Sequence, residues 1–251
     1  MNDRAAPADR PEAPAIQPDA ADGDPGIFDE PEVILPPSAP PALALAASGT
    51  IRFAITRESL GLRIGRAEYN WEFTDDGHYF LRAVTETSGI AAVFAPRRLA
   101  LESRGRLVAS GLQPERFRSR RDGGEVEEGA DFDWENGEIL ILRDGRKHRL
   151  TLGAQDILSL VFQLSYLGSL DDGAGLSVAT ARKFEWQRLE SLGEESIELP
   201  AGHFRTRHLR AQSNTSTEVW IALDHGNMPV KIRFTDKKGD AYEQVATELG
   251  L

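Results

Sequence analysis

The chain has 251 residues, no cysteine and a formal charge of −11, so disulfides, thiolate metal sites and cysteine nucleophiles are excluded. Residues 1–50 hold nine acids against two arginines, a balance of −7, which leaves −4 for everything that follows. The remainder is nearly neutral and lacks the basic surplus of a nucleic-acid-binding domain, and no window approaches the ~20 consecutive apolar residues of a membrane-spanning helix.

Residues 1–48 contain ten of the fourteen prolines and one aromatic residue, Phe28. Such a segment buries too little apolar surface to offset chain entropy, and it is expected to be a disordered, semi-extended linker. It lacks the basic and then apolar regions of a secretory signal, so an exporting or anchoring segment would have to lie outside this sequence. Residues 49–251 are expected to form a single domain. From Thr50 the pattern alternates: Tyr69, Trp71 and Phe73 share one face of a strand, and Glu68, Asn70 and Glu72 the other. Asp75-Asp76-Gly77, Asn136-Gly137, Asp144-Gly145, His225-Gly226-Asn227 and Lys238-Gly239-Asp240 are hairpin turns between β-rich runs. Strands are predicted near 50–57, 62–74, 78–87, 98–107, 115–121, 126–134, 138–143 and 147–151. A second set follows near 176–190, 193–199, 203–212, 217–223, 229–235 and 241–248. Ser88 to Ala95 is a short apolar stretch that reads as a helical turn or an inward loop.

Ala154 to Gly168 alone has helical periodicity over any length. Ile157, Leu160, Val161, Leu164 and Leu167 share a face, and Leu158 and Phe162 widen it. Asp156 suits the N-terminus and Gly168 a left-handed C-terminal residue. The predicted fold class is mainly β: a strongly curved antiparallel meander, an incomplete barrel, with one long helix packed on its concave side.

Several segments resemble a bacterial envelope family called domain of unknown function 3108. They are Gly105-Arg106-Leu107 leading to Gly111-Leu112-Gln113-Pro114-Glu115-Arg116-Phe117, then Phe132-Asp133, and Gln155-Asp156-Ile157-Leu158-Ser159. Pro200-Ala201-Gly202 and Glu218-Val219-Trp220-Ile221 running to Met228-Pro229-Val230-Lys231-Ile232 complete the set. The resemblance spans about Gly49 to Leu249. It implies a periplasmic β domain, anchored to the inner membrane in the full-length protein, distantly similar to the incomplete barrels that carry lipoproteins between bacterial membranes. It implies no catalytic residues.

Chemistry-bearing motifs are sparse. The five histidines form no HExxH or HxH pattern, and GxSxG, P-loop and GxGxxG signatures are missing; no enzyme, cofactor or metal is expected. Asp131 and Asp133 share a strand face, a spacing that suits a cation or an acid pair and that simple alternation also produces. Arg116, Arg118 and Arg120 project from one face of a strand. They are a candidate anion-binding row, or a face neutralised across a hairpin by Glu125, Glu127 and Glu128. Trp71, Phe73, Trp134, Phe162, Trp186 and Trp220 are candidate apolar lining for a ligand, or core filling. The expected partner is a lipid or other amphipathic ligand; the alternatives are a structural module that binds an envelope protein and a cell-wall polymer hydrolase.

Overall fold

The computed structural model describes residues 45–88, 97–122, 128–168, 170 and 173–250. Most of the expected linker, the apolar stretch after Ser88, and Glu125 and Glu127 lie outside the described residues.

Fifteen strands form one sheet. They are β1 Ser48–Arg57, β2 Leu62–Phe73, β3 His78–Thr87, β4 Arg98–Val108, β5 Gly111–Arg121, β6 Glu128–Asp133, β7 Glu138–Ile141 and β8 Arg146–Arg149. The series continues with β9 Gln155–Asp156, β10 Gly175–Ala179, β11 Phe184–Leu199, β12 Gly202–Gln212, β13 Ser216–Ala222, β14 Met228–Thr235 and β15 Ala241–Gly250. The spatial order is β8-β7-β6-β5-β4-β3-β2-β1-β15-β14-β13-β12-β11-β10-β9. Apart from β8 and β9, each strand therefore neighbours its sequence neighbours, as a meander requires, and β1 pairs with β15 to join the two ends of the run. The pairs are antiparallel except β9 with β10. The sheet stays open between β8 and β9, which are consecutive in the chain yet form its two edges. All four residues of β8, Arg-Lys-His-Arg, are exposed, and a short charged edge of this kind discourages further strand pairing.

Alternation places the side chains as the sequence leads one to expect. In β2, Tyr69, Trp71 and Phe73 are buried, and Phe53, Phe117, Phe162 and Phe204 are among the largest fully buried side chains. All five turn motifs carry a glycine with positive φ.

Four expectations change. The helix is short: α1 spans Ile157–Gln163 and continues as a 3-10 turn over Leu164–Tyr166. Asp156 caps its N-terminus as its carboxylate suggested, and Gln155 and Asp156 also pair with β10. Gly168 is not left-handed; the 3-10 turn ends on Leu167 in extended conformation. The predicted break after residue 190 is absent, since Gly193 (φ +102°) accommodates a register shift within an unbroken β11. The break falls earlier, at a turn in which Arg182 and Lys183 backbone N–H groups donate to Thr180 Oγ1. Finally, β5 starts at Gly111 and runs through Pro114, which faces Gly105 beside a register shift in β4. A Cβ on Gly105 would lie 2.1 Å from the Gln113 carbonyl oxygen.

Candidate functional site

Polar ties hold α1. The Leu158 and Ser159 N–H groups both donate to Asp156 Oδ1 at 2.9 Å, and the Asp156 N–H donates to Ser159 Oγ at 2.9 Å. This is a capping box with serine in place of the usual glutamate. From β4, Ser103 Oγ donates to Asp156 Oδ2 at 2.6 Å, and Ser103 in turn lies 3.1 Å from the Tyr79 hydroxyl. All four side chains are buried. Loss of water pushes the Asp156 carboxyl up from 3.8 to about 6, against the opposing hydrogen bonds from Ser103, Ser159 and Leu158. Burial, and then the Asp156 charge, push the Tyr79 phenol well up.

At the other end of α1, Gln163 Oε1 accepts from the Leu112 N–H at 2.7 Å while its Nε2 donates to the Ser110 carbonyl at 2.8 Å. Gln155 Nε2 donates to the Leu112 carbonyl at 2.7 Å. Gly111, at φ +105°, leaves room for this clamp: a Cβ there would lie 2.3 Å from Gln163 Oε1. The segments around Gly111-Leu112 and Gln155-Asp156, which carried the family resemblance separately, therefore meet in space.

A cavity of about 460 Å³ adjoins this helix. Ile157 and Val161 of α1 form part of its wall, and Ile55, Ile64, Tyr69, Leu101 and Ile232 line it from the sheet. Further out, Leu99, Phe234 and Tyr242 line it near the strand ends, with Thr87, Glu86 and Arg97. The lining is mainly hydrocarbon. Gln244 brings one exception: its side chain hydrogen-bonds Tyr69, while its buried Oε1 has no hydrogen-bond partner among the described residues. Topology makes the site: β1 and β15 bring strands from the two ends of the run side by side, and period two turns their alternate residues to the same face. No local signal marks these positions, which is why reading the sequence missed them.

The six aromatic residues singled out from sequence are dispersed, and none lines this cavity. Trp71, Phe73 and Phe162 are core, with Trp71 and Phe162 rings 5.9 Å apart. Trp134 packs on the core and donates to the Pro114 carbonyl at 2.7 Å. Trp186 is 45% exposed. Trp220 is buried between the His208 ring, stacked at 3.8 Å, and the Lys231 ammonium at 4.5 Å. Of the arginine row, Arg118 is engaged by the Phe117 and Ala130 carbonyls and by Asp131 at 2.7 Å. Arg116 and Arg120 are exposed. Asp131 serves Arg118, whereas Asp133 caps the next turn through Asn136. Among the described residues no group of three acidic or histidine side chains could hold a metal, and no helix is long and apolar enough to cross a membrane.

One solved structure shares the fold: a beta-barrel-like protein of the DUF1849 family from Brucella abortus, 12% identical, with TM-score 0.53 over 83% of this chain and 99% of that one. Two others overlap more loosely. A candidate lipoprotein from Parabacteroides distasonis is 10% identical, with TM-score 0.37 over 82% of this chain and 98% of its own. A candidate exported protein with a YmcC-like fold from Bacteroides fragilis is 9% identical, with TM-score 0.36 over 82% and 96%. No curated protein matches the chain. The family model described as "Protein of unknown function (DUF3108)" matches residues 50–246, and the chain belongs to that family.

Proposed function

We propose that this domain is a non-catalytic carrier of a hydrophobic or amphipathic ligand in the bacterial envelope, with the apolar part of the ligand held in the cavity beside α1. The observation that carries the reading is the cavity itself: about 460 Å³ with a mainly hydrocarbon lining, within the ~300–1,000 Å³ usual for small-molecule sites. In this reading the sheet curls about α1 as an incomplete barrel. Support comes from the helix touching β3, β4 and β5 on one limb and β10 and β14 on the other, and from edge residue Gln155 bonding Leu112 of β5. Trp71, Phe73 and Phe162 are then the rigid wall behind the cavity, and Gln244 Oε1 accepts from the ligand's one buried donor, a hydroxyl or amide. Residues 1–48, proline-rich and acidic, act as the spacer from a membrane anchor.

Native mass spectrometry of the full chain tests this. Purified protein should carry a lipid-sized adduct, and Val161→Trp, which fills the cavity, should lose it while remaining folded. Clean apo spectra from several preparations, with no uptake of added fatty acid or phospholipid, would remove the reading.

A second reading, a module that binds an acidic envelope partner, has one specific observation behind it. Arg104 and Arg116 face each other across β4 and β5 and reach Glu102 and Asp131 only at 4.0 and 3.9 Å. The nearby Glu115 is taken by Arg106 at 2.8 Å, and Asp131 by Arg118. Like charges directly opposed on a sheet are unfavourable unless something bridges them, and these two border a cleft of about 420 Å³.

A further inference from the structure

Three of the six exposed large hydrophobic side chains among the described residues lie at one end of the sheet, around the cavity. Leu60 is 55% exposed, Leu62 61% and Phe234 39%. The register places Leu62 opposite Arg57, Arg57 opposite Tyr242, and Tyr242 opposite Phe234, so the four form one cross-strand row. Tyr242 and Phe234 line the cavity, and the apolar surface thus runs outward from its wall to solvent. Leu60 sits on a 3-10 turn, Glu58–Leu60, which is held to β14 by Arg233 donating to Glu58 at 2.7 Å. It is presented on a fixed turn.

Among the described residues, most carboxylates at this end are already engaged. Glu58, Glu86, Asp122 and Asp240 are each bound by an arginine, and Asp236 caps its own turn. Arg63, Lys237 and Lys238 are exposed and form no ion pair with a described carboxylate, whereas Arg121 is charge-coupled to the neighbouring Asp122. At the opposite strand ends the turns between β2 and β3, β6 and β7, and β13 and β14 carry Asp75, Asp76, Glu135 and Asp224, with no lysine or arginine in the turns themselves, although Arg205 of β12 binds Asp224.

We infer that this end of the domain docks on an anionic bilayer surface, with Leu60, Leu62 and Phe234 entering the interface and Arg63, Lys237 and Lys238 meeting lipid headgroups. Exposed apolar side chains flanked by uncompensated cations are the chemistry of interfacial binding, and the acidic opposite end sets the orientation. The docking surface stands on its own residues whether or not the cavity is occupied. It also explains how a sparingly soluble ligand would reach the cavity without crossing water.

Vesicle flotation with the full chain tests it, comparing vesicles containing phosphatidylglycerol with pure phosphatidylcholine. Binding should require the anionic lipid and weaken with salt. Lys237→Gln with Lys238→Gln should reduce it roughly 25-fold, at about fivefold for each cation near the surface. Leu60→Ser with Leu62→Ser should reduce it by roughly tenfold or more. All four positions are exposed, so the variants keep the fold. The cavity-filling Val161→Trp should bind vesicles as the parent does, which separates failure of this inference from failure of the ligand reading. No binding to anionic vesicles, or binding indifferent to both double substitutions, overturns it.

Discussion

Asp156→Asn should remove a stability term that depends on pH, and its sign is opposite to that of the surface carboxylates. The Asp156 carboxyl titrates at about 6 in the folded chain against an ordinary 3.8, because burial disfavours its charge more than its hydrogen bonds favour it. The folded state therefore holds this proton more tightly than the unfolded state. Its contribution is fully present below about pH 4 and is lost as pH rises through about 6. At ~1.36 kcal/mol per pH unit the interval is worth about 3 kcal/mol. Asparagine keeps the geometry: Oδ1 accepts from Leu158 and Ser159, and Nδ2 donates to Ser103 Oγ. Urea melts of both proteins from pH 4 to 8 give the comparison, provided that the m-values agree. The variant should gain roughly 2–3 kcal/mol relative to the parent between pH 4 and pH 7.5. Arginine-paired carboxylates such as Glu68, Glu86 and Asp224, held below their usual range chiefly by hydrogen bonds from arginine, lose their contribution as pH falls. They are common to both proteins and cancel in the difference. A difference that stays flat across this range would refute the argument.

Leu160→Ala or Leu164→Ala, each removing a fully buried side chain of α1 or its 3-10 extension, should cost roughly 2–5 kcal/mol in a denaturant melt. Gly111→Ala should cost ~2 kcal/mol or more, since it combines a left-handed backbone with a Cβ driven into Gln163; amide exchange at Leu112 should rise with it. Lys231→Met should lose the ion pair to Glu243 and about 1 kcal/mol of cation–π attraction to Trp220, and only the second loss should vanish with Trp220→Leu in the background of a double-mutant cycle.

The meander was legible because its causes are local. Tyr69, Trp71 and Phe73 alternate with Glu68, Asn70 and Glu72, and each Asx-Gly turn fixes a hairpin without reference to the rest of the chain. What failed to show depends on a neighbour far away in sequence. Nothing near Gly193 tells a bulge from a turn until β12 supplies a partner strand on both sides of it. Pro114 lacks the N–H that a central strand uses, and only the shift opposite it at Gly105 accommodates the proline. The apolar stripe from Ile157 to Leu167 correctly marked burial. It overstated helix length, because an extended residue such as Leu167 packs on the same core as a helical one.

The same division governs the site. Bulk drew attention to tryptophan and phenylalanine, yet large rigid rings also fill cores, as Trp71, Phe73 and Phe162 do here. A cavity persists where mid-sized side chains from separate strands stop short of one another. Ile55, Ile64, Leu101 and Ile232 do so beside Val161. Keeping that space open requires a helix that cannot settle inward. Polar ties do this better than apolar packing, because a hydrogen bond has a fixed length and its loss leaves buried partners unsatisfied. Asp156 with Ser103 at one end and Gln163 with Ser110 and Leu112 at the other set the distance of α1 from β4 and β5. Buried Asp156, Gln155 and Gln163 thus hold the cavity open, and their substitution should alter its volume before it alters the fold.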